Sequence, residues 1–264
     1  MKVSSALYTL LLFSPLIAQT QTYSASNFNG IYAYTISGSA VDPITGVSTF
    51  IAECGRLSAD GAGHVSGNDT VMISGDLVRR SLSGTYAINP DGTGFLTLYP
   101  SWGPQLDADL VLGDNGRLLR LVITDSGSTL SGMIEAQLAS GQTAPPQGYS
   151  ASSVAGGYEY RIDGNAIDFW GNVTPISEVG HLILDGAGNA TGTSTVSIDG
   201  LVIRRTLAGT YFVNADGSGA FTLYPSWGGA IDADLFVSGN ALKVDFVVTD
   251  SGSTLSGAMT AQTL

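Results

Sequence analysis

The amino-acid sequence predicts an all-β protein built as two tandem antiparallel up-and-down β-barrels of about eight strands each. Three observations carry this reading. The chain writes one long stretch twice: LSGTYAINPDGTGFLTLYPSWGPQLDADL at 82–110 returns as LAGTYFVNADGSGAFTLYPSWGGAIDADL at 207–235, and TDSGSTLSG stands at both 124–132 and 249–257. Turn signals recur at intervals of roughly a dozen residues, and Asp-Gly and Asn-Gly pairs tolerate the positive φ that tight hairpins demand. Between the turns the chain alternates in period two, is rich in Val, Ile, Thr, Tyr and Leu, and sustains no helical period.

In the first copy the strands are predicted near 30–37, 48–59, 63–73, 77–88, 94–101, 106–112, 117–124 and 129–138. They are separated by turns such as Asp60-Gly61, Ser74-Gly75-Asp76, Pro90-Asp91-Gly92, Asp114-Asn115-Gly116 and Asp125-Ser126-Gly127. Connections this short pair each strand with the next. A meander with one apolar face either leaves two bare edges or closes on itself, and closure removes the edges. A two-sheet sandwich is the alternative. One sixteen-stranded membrane barrel is a further rival, but it needs strands of about 9 to 11 residues and aromatic girdles, and several strands here are shorter.

The 264 residues divide into an export signal at 1–18, a first barrel repeat at 23–138, a linker at 139–148 and a second repeat at 149–264. The signal is read from Lys2 followed by the apolar run Ala6–Ile17 and small residues after Ala18. That run is shorter than the ~20 residues of a membrane span, so no span is expected after cleavage and the protein is predicted to be secreted or periplasmic. The linker, with Pro145-Pro146 among small uncharged residues, resists collapse.

Charged residues make up only 12% of the chain and hydrophobic ones 44%, which excludes disorder driven by charge. The net charge of −12 makes this an acidic protein for which phosphate backbones are poor partners, so no nucleic acid is expected. Cys54 is the single cysteine, and Val179 answers it in the second copy. It is therefore read as a small buried hydrophobe without a disulfide.

Gly30-Ile31-Tyr32 and Gly156-Gly157-Tyr158 open the first strand of each copy. In this the chain resembles the calycin group, the lipocalins and avidins, whose first strand carries Gly-x-Trp. Here Tyr stands in place of Trp, and the last strand lacks the basic residue that lipocalins pack on that ring. The resemblance implies a small secreted barrel with a cup for a small molecule, and no particular ligand.

Alternation then sorts the faces, since residues two apart share a side. Val78, Arg80, Leu82, Tyr86 and Ile88 form one row, repeated by Ile203, Arg205, Leu207, Tyr211 and Val213. Ile51, Glu53, Gly55 and Leu57 form another, repeated by Ile176, Glu178, Gly180 and Leu182. Each apolar row thus carries one charge, and Glu53 and Glu178 are read as the only carboxylates so placed. A lone buried charge costs several kcal/mol, so the pairs Glu53–Arg80 and Glu178–Arg205 are predicted. Tyr32, Tyr34 and Tyr86, with Tyr158, Tyr160 and Tyr211, are expected to supply hydroxyls to the remaining carboxylate lone pairs. These ten residues are the candidate ligand-binding set.

Tyr99-Pro100-Ser101-Trp102-Gly103 recurs as Tyr224-Pro225-Ser226-Trp227-Gly228. Proline ends the ladder there, so Tyr99, Trp102, Tyr224 and Trp227 either plug a barrel end or form a surface for a glycan or partner, the plug being favoured. Trp170 marks a loop in which the copies differ. Asp107 and Asp109, with Asp232 and Asp234, face outward as pairs; a solvated face is expected there rather than Ca²⁺. No Ser-His-Asp set, HExxH, cysteine cluster, phosphate loop or dinucleotide fingerprint is present, so no cofactor and no metal are expected.

Function reduces to three classes. The first is a non-enzymatic exported binding protein holding a small, mostly apolar ligand in each barrel. The second is a structural or adhesion module with no internal ligand. The third is a barrel isomerase or cyclase using Glu53 as a base. Oligomeric state is open.

Overall fold

The computed structural model describes residues 22–42, 44–138 and 148–262. The expected export signal, and all of the linker but Gly148, lie outside the described residues. The first copy forms β1 (Asn29–Val41), β2 (Ser48–Asp60), β3 (His64–Ile73), β4 (Asp76–Ile88), β5 (Thr93–Pro100), β6 (Leu106–Gly113), β7 (Leu118–Ile123) and β8 (Ser128–Ala136). The second forms β9 (Gly156–Ile167), β10 (Val173–Leu184), β11 (Asn189–Ile198), β12 (Leu201–Val213), β13 (Ser218–Pro225), β14 (Ile231–Ser238), β15 (Lys243–Val248) and β16 (Ser253–Ala261). Each strand pairs antiparallel with the next, and the last returns to the first, with Tyr34 opposite Ile134 and Tyr160 opposite Met259. The result is two closed eight-stranded barrels, neither a sandwich nor one larger barrel. Among the described residues no helix is long and apolar enough to cross a membrane.

Each barrel is stopped at one end by the segment that precedes its first strand. In the first barrel a 3₁₀ turn, Ala25–Asn27, delivers Phe28 beneath Tyr32 and Tyr86, edge to face with ring centroids 4.7 and 4.8 Å away. In the second, Val154 takes the place of Phe28. The lost volume returns from across the barrel, where Phe221 and Phe246 stand for Leu96 and Leu121 and meet at 5.0 Å. The space left among Val154, Leu182, Tyr211 and Phe221 is about 10 Å³, room for about one water.

The two barrels touch through outer faces. Ala33, Ala52, Cys54 and Met72 of β1–β3 pack on Phe236 and Val247 of β14 and β15 as a separate dry cluster. The expectation that Cys54 is a buried hydrophobe holds, but what buries it is the neighbouring barrel; burial pushes its thiol well up. Arg79 Nε donates to Asp234 at 2.7 Å, and Lys243 Nζ donates to Glu135 at 2.8 Å. The turn amide of Gly252 donates to the Gly75 carbonyl at 3.0 Å.

A charge introduced into that dry cluster should part the barrels without opening them. Met72→Asp is expected to raise the radius of gyration in small-angle scattering while far-UV circular dichroism stays unchanged. An unchanged radius would contradict this account of the interface.

Candidate functional site

The two predicted ion pairs form. Arg80 Nη2 donates to Glu53 Oε2 at 2.8 Å, and Arg205 Nη2 to Glu178 Oε2 at 2.7 Å, with all four residues buried. Register explains the reach. Arg80 on β4 lies opposite Asp69 on β3, and Glu53 on β2 lies opposite Val71, two residues along β3 on the same face, so the long guanidinium crosses one strand diagonally. Tyr34 and Tyr160 complete the network as expected, their hydroxyls 2.6 and 2.7 Å from Glu53 and Glu178. Each ring lies over a glycine in β2 or β10. A Cβ on Gly55 would stand 2.6 Å from Tyr34 Cε1, and one on Gly180 would stand 2.4 Å from Tyr160 Cε1. The missing side chain in each row is the space the tyrosine fills.

Three expectations are corrected. Tyr32, Tyr86, Tyr158 and Tyr211 do not reach the carboxylates. Tyr32 donates to the Gly116 carbonyl at 3.0 Å, Tyr86 to Phe28 at 2.6 Å, Tyr158 to Ala241 at 2.9 Å and Tyr211 to Ala151 at 3.1 Å. Tyr86 is six residues from Arg80, about 20 Å along an extended strand, so sharing a face does not mean sharing a depth. These four close the far end of their barrels.

Glu53 and Glu178 are also not the only inward carboxylates. Asp69 is 2% exposed and accepts from Arg80 Nε and Nη2 at 3.0 and 2.9 Å. Alternation along β3 could have found it, since Val65, Asp69 and Val71 share one face. In the second barrel Ser194 holds this place and accepts from Arg205 Nε at 3.2 Å. The first barrel therefore sets two carboxyls against one guanidinium. Burial, then the charge of Asp69, push the Glu53 carboxyl up to about 8. The Tyr34 hydroxyl, within reach of both Glu53 and Asp69, has one proton to give, and a proton kept on Glu53 supplies the second.

Contrary to expectation, the aromatics of the repeated Tyr-Pro-Ser-Trp-Gly motif do not plug the barrel. Trp102 is 56% exposed and Trp227 49%, and Tyr99 and Tyr224 lie exposed on the outer faces of β5 and β13. What enters the barrel end is the backbone of the loop. Arg80 Nη1 donates to the Trp102 carbonyl at 3.4 Å and Arg205 Nη1 to that of Trp227 at 3.1 Å. Ser101 ties the loop to β4, its amide donating to Ser81 and its hydroxyl accepting from the Ser81 amide; Ser226 does the same with Thr206. Gly103 and Gly228 turn at φ +98° and +100°, where a Cβ would press on the guanidinium at 3.3 and 3.1 Å. So proline ends the ladder, serine anchors, the tryptophan carbonyl takes the arginine, glycine makes the turn, and the indole is left outside.

Trp170 is 81% exposed at the β9–β10 turn, beside Phe169. Of the outward aspartates, Asp107 accepts from Thr97 and Gln105, Asp232 from Thr222, and Asp234 from Arg79 and Thr70.

No family model matches the chain, and no curated protein is detectably similar to it. Three solved structures align with it at low similarity. A candidate AttH from Nitrosomonas europaea aligns at 10% identity over 90% of this chain and 94% of that one, with a TM-score of 0.28. The Myxococcus xanthus hemagglutinin in complex with α3,α6-mannopentaose aligns at 12% identity over 87% and 99%, with a TM-score of 0.17. A protein of unknown function of the DUF3598 family from Nostoc punctiforme aligns at 15% identity over 89% and 96%, with a TM-score of 0.23. None reaches the similarity at which a shared function follows.

The asymmetry between the networks has measurable results. Glu178→Gln strands a buried guanidinium and is expected to lower unfolding free energy by about 3 kcal/mol; Glu53→Gln should cost less than half of that, because Asp69 still pairs with Arg80. Denaturant titrations read both, and equal costs would contradict the two-carboxyl arrangement.

The pH dependence follows in sign. Glu53 binds its proton more tightly folded, at about 8, than at its ordinary 4.5. Its contribution is therefore complete below about 4.5 and declines as pH rises toward 8. Asp69→Ser is expected to flatten the stability curve in that window relative to the unaltered protein. Parallel curves would contradict it.

Proposed function

We propose that the protein is a non-enzymatic, exported binding module of the adhesion type, and that its two Tyr-Pro-Ser-Trp-Gly loops are platforms for glycan. One observation carries the reading: a large indole is held out in water twice in one chain, on a loop whose backbone is fixed from inside by a buried arginine. A flat aromatic surface covers the apolar C–H face of a sugar ring, and a loop already fixed in place loses little freedom on binding. Two such loops on one chain add avidity on a repeating polymer.

The interior supports this reading over an internal ligand. A cup for a small molecule takes a few hundred Å³, against the 10 Å³ left among the apolar side chains of the second barrel. The donors of Arg80 and Arg205 are already engaged by the protein's own carboxyls, hydroxyls and carbonyls. Glu53, raised to about 8, has the proton affinity of a general acid or base, but it lies buried between Tyr34 and Arg80 where no substrate meets it. On this reading the calycin resemblance is one of architecture, carried by the closed eight-strand meander and by Tyr32 and Tyr158 at the opening strands.

Affinity electrophoresis in gels containing polysaccharides of different sugar composition tests the proposal. Retardation by at least one is expected, weakened in Trp102→Ala and in Trp227→Ala and lost in the double variant, with unfolding midpoints unchanged. Retention that survives the double substitution, or none on any polysaccharide, would overturn it.

A further inference from the structure

The barrels do not meet as matching halves. The first presents β1–β3 and the second presents β14–β16, so the outward faces of β6 and β7 and of β10 and β11, the twins of β14, β15, β2 and β3, stay free. The contact is head to tail, and its two unused halves are both on the outside of the chain.

Those halves retain several elements of the contact. Within the chain, Arg79 and Thr70 bind Asp234 at 2.7 and 2.6 Å. Their counterparts Arg204, Thr195 and Asp109 keep the same residue types. Arg204 and Asp109 are exposed, and among the described residues neither side chain has an ion pair or hydrogen bond. The glycines of the turn-to-turn bond recur as well: Gly75 and Gly252 return as Gly200 and Gly127, and Gly200 stands in open space where Gly75 is pressed against Gly252. Phe236 and Val247 recur as Val111 and Val122, 54% and 48% exposed, and Cys54 as Val179, 56% exposed.

What has changed is one ion pair, since Lys243 and Glu135 recur as Leu118 and Thr260, and the amount of apolar surface. Ala52 and Met72 become Ser177 and Ser197, while Ala33 becomes Glu159 and Asp245 becomes Arg120, charges of opposite sign on the two unused halves. A contact with less apolar area and more exposed charge is suited to reversible association.

We propose that copies of this chain associate head to tail, the second barrel of one on the first barrel of the next, by repeating the contact that joins the barrels within a chain, with Arg204 against Asp109. Such a contact is heterologous, so it propagates into open chains unless its rotation happens to close a ring. The proposal is independent of the glycan reading, since it uses neither tryptophan loop.

Sedimentation velocity of the full chain at low ionic strength tests it. The weight-average mass is expected to rise with concentration beyond that of a dimer. Arg204→Glu and Asp109→Arg, both at exposed positions, should each weaken association about tenfold with far-UV circular dichroism unchanged. Mixing the two variants should restore it, because every contact between unlike copies again sets opposite charges together. A monomer at all concentrations up to about 1 mM, association indifferent to both reversals, or no rescue on mixing would overturn the proposal.

Discussion

A guanidinium inside a small apolar barrel is the constraint on which the rest of this structure depends. Arg80 and Arg205 sit on inward rows of β4 and β12, where an unpaired charge would cost several kcal/mol of a small total stability. One carboxylate cannot occupy all five donors of the fork. The surplus is met by Asp69 or Ser194 on the adjacent strand and by the carbonyl of Trp102 or Trp227. The same side chain therefore registers strands against one another and sets the loop beyond the barrel end. Interior and exterior are joined through one residue, which ties down the backbone of the loop that carries the exposed indole.

Duplication gives this solution twice and lets the copies drift where packing allows. Volume is exchanged across the interior, Phe28 against Phe221 and Phe246, without disturbing closure. Charge is exchanged in the network, where Asp69 makes the first barrel rich in carboxyl and Ser194 leaves the second balanced. Outside, the faces diverge according to use: the face buried between the barrels is apolar, and its unused twin is diluted with serine and charge.

Strand number, order and closure were legible in the sequence because short turns and period-two rows leave a meander few alternatives. The Glu–Arg pairs were legible for the same reason, one charge in each apolar row. Depth was not: alternation tells which face Tyr86 shares with Arg80 but not that the two are at opposite ends of it. Asp69 was written in the same code, yet Gly67 in its row hides the alternation of β3. The fate of the tryptophans turned on loop geometry, which no strand periodicity encodes. The contact between barrels left only an indirect trace, outward positions that are apolar in one copy and polar in the other, such as Met72 and Ser197 or Ala52 and Ser177.

The central claim is that the buried arginine orders the tryptophan loop, and backbone ¹⁵N relaxation tests it most directly. Replacing Glu178 and Arg205 together by Leu and Met removes the ion pair without stranding a charge, so the second barrel should stay closed. Order parameters at residues 226–229 are expected to fall from about 0.85 toward 0.6 or below while the matching loop at 101–104 keeps its own. A loop around Trp227 that stays as ordered as the one around Trp102 would contradict it.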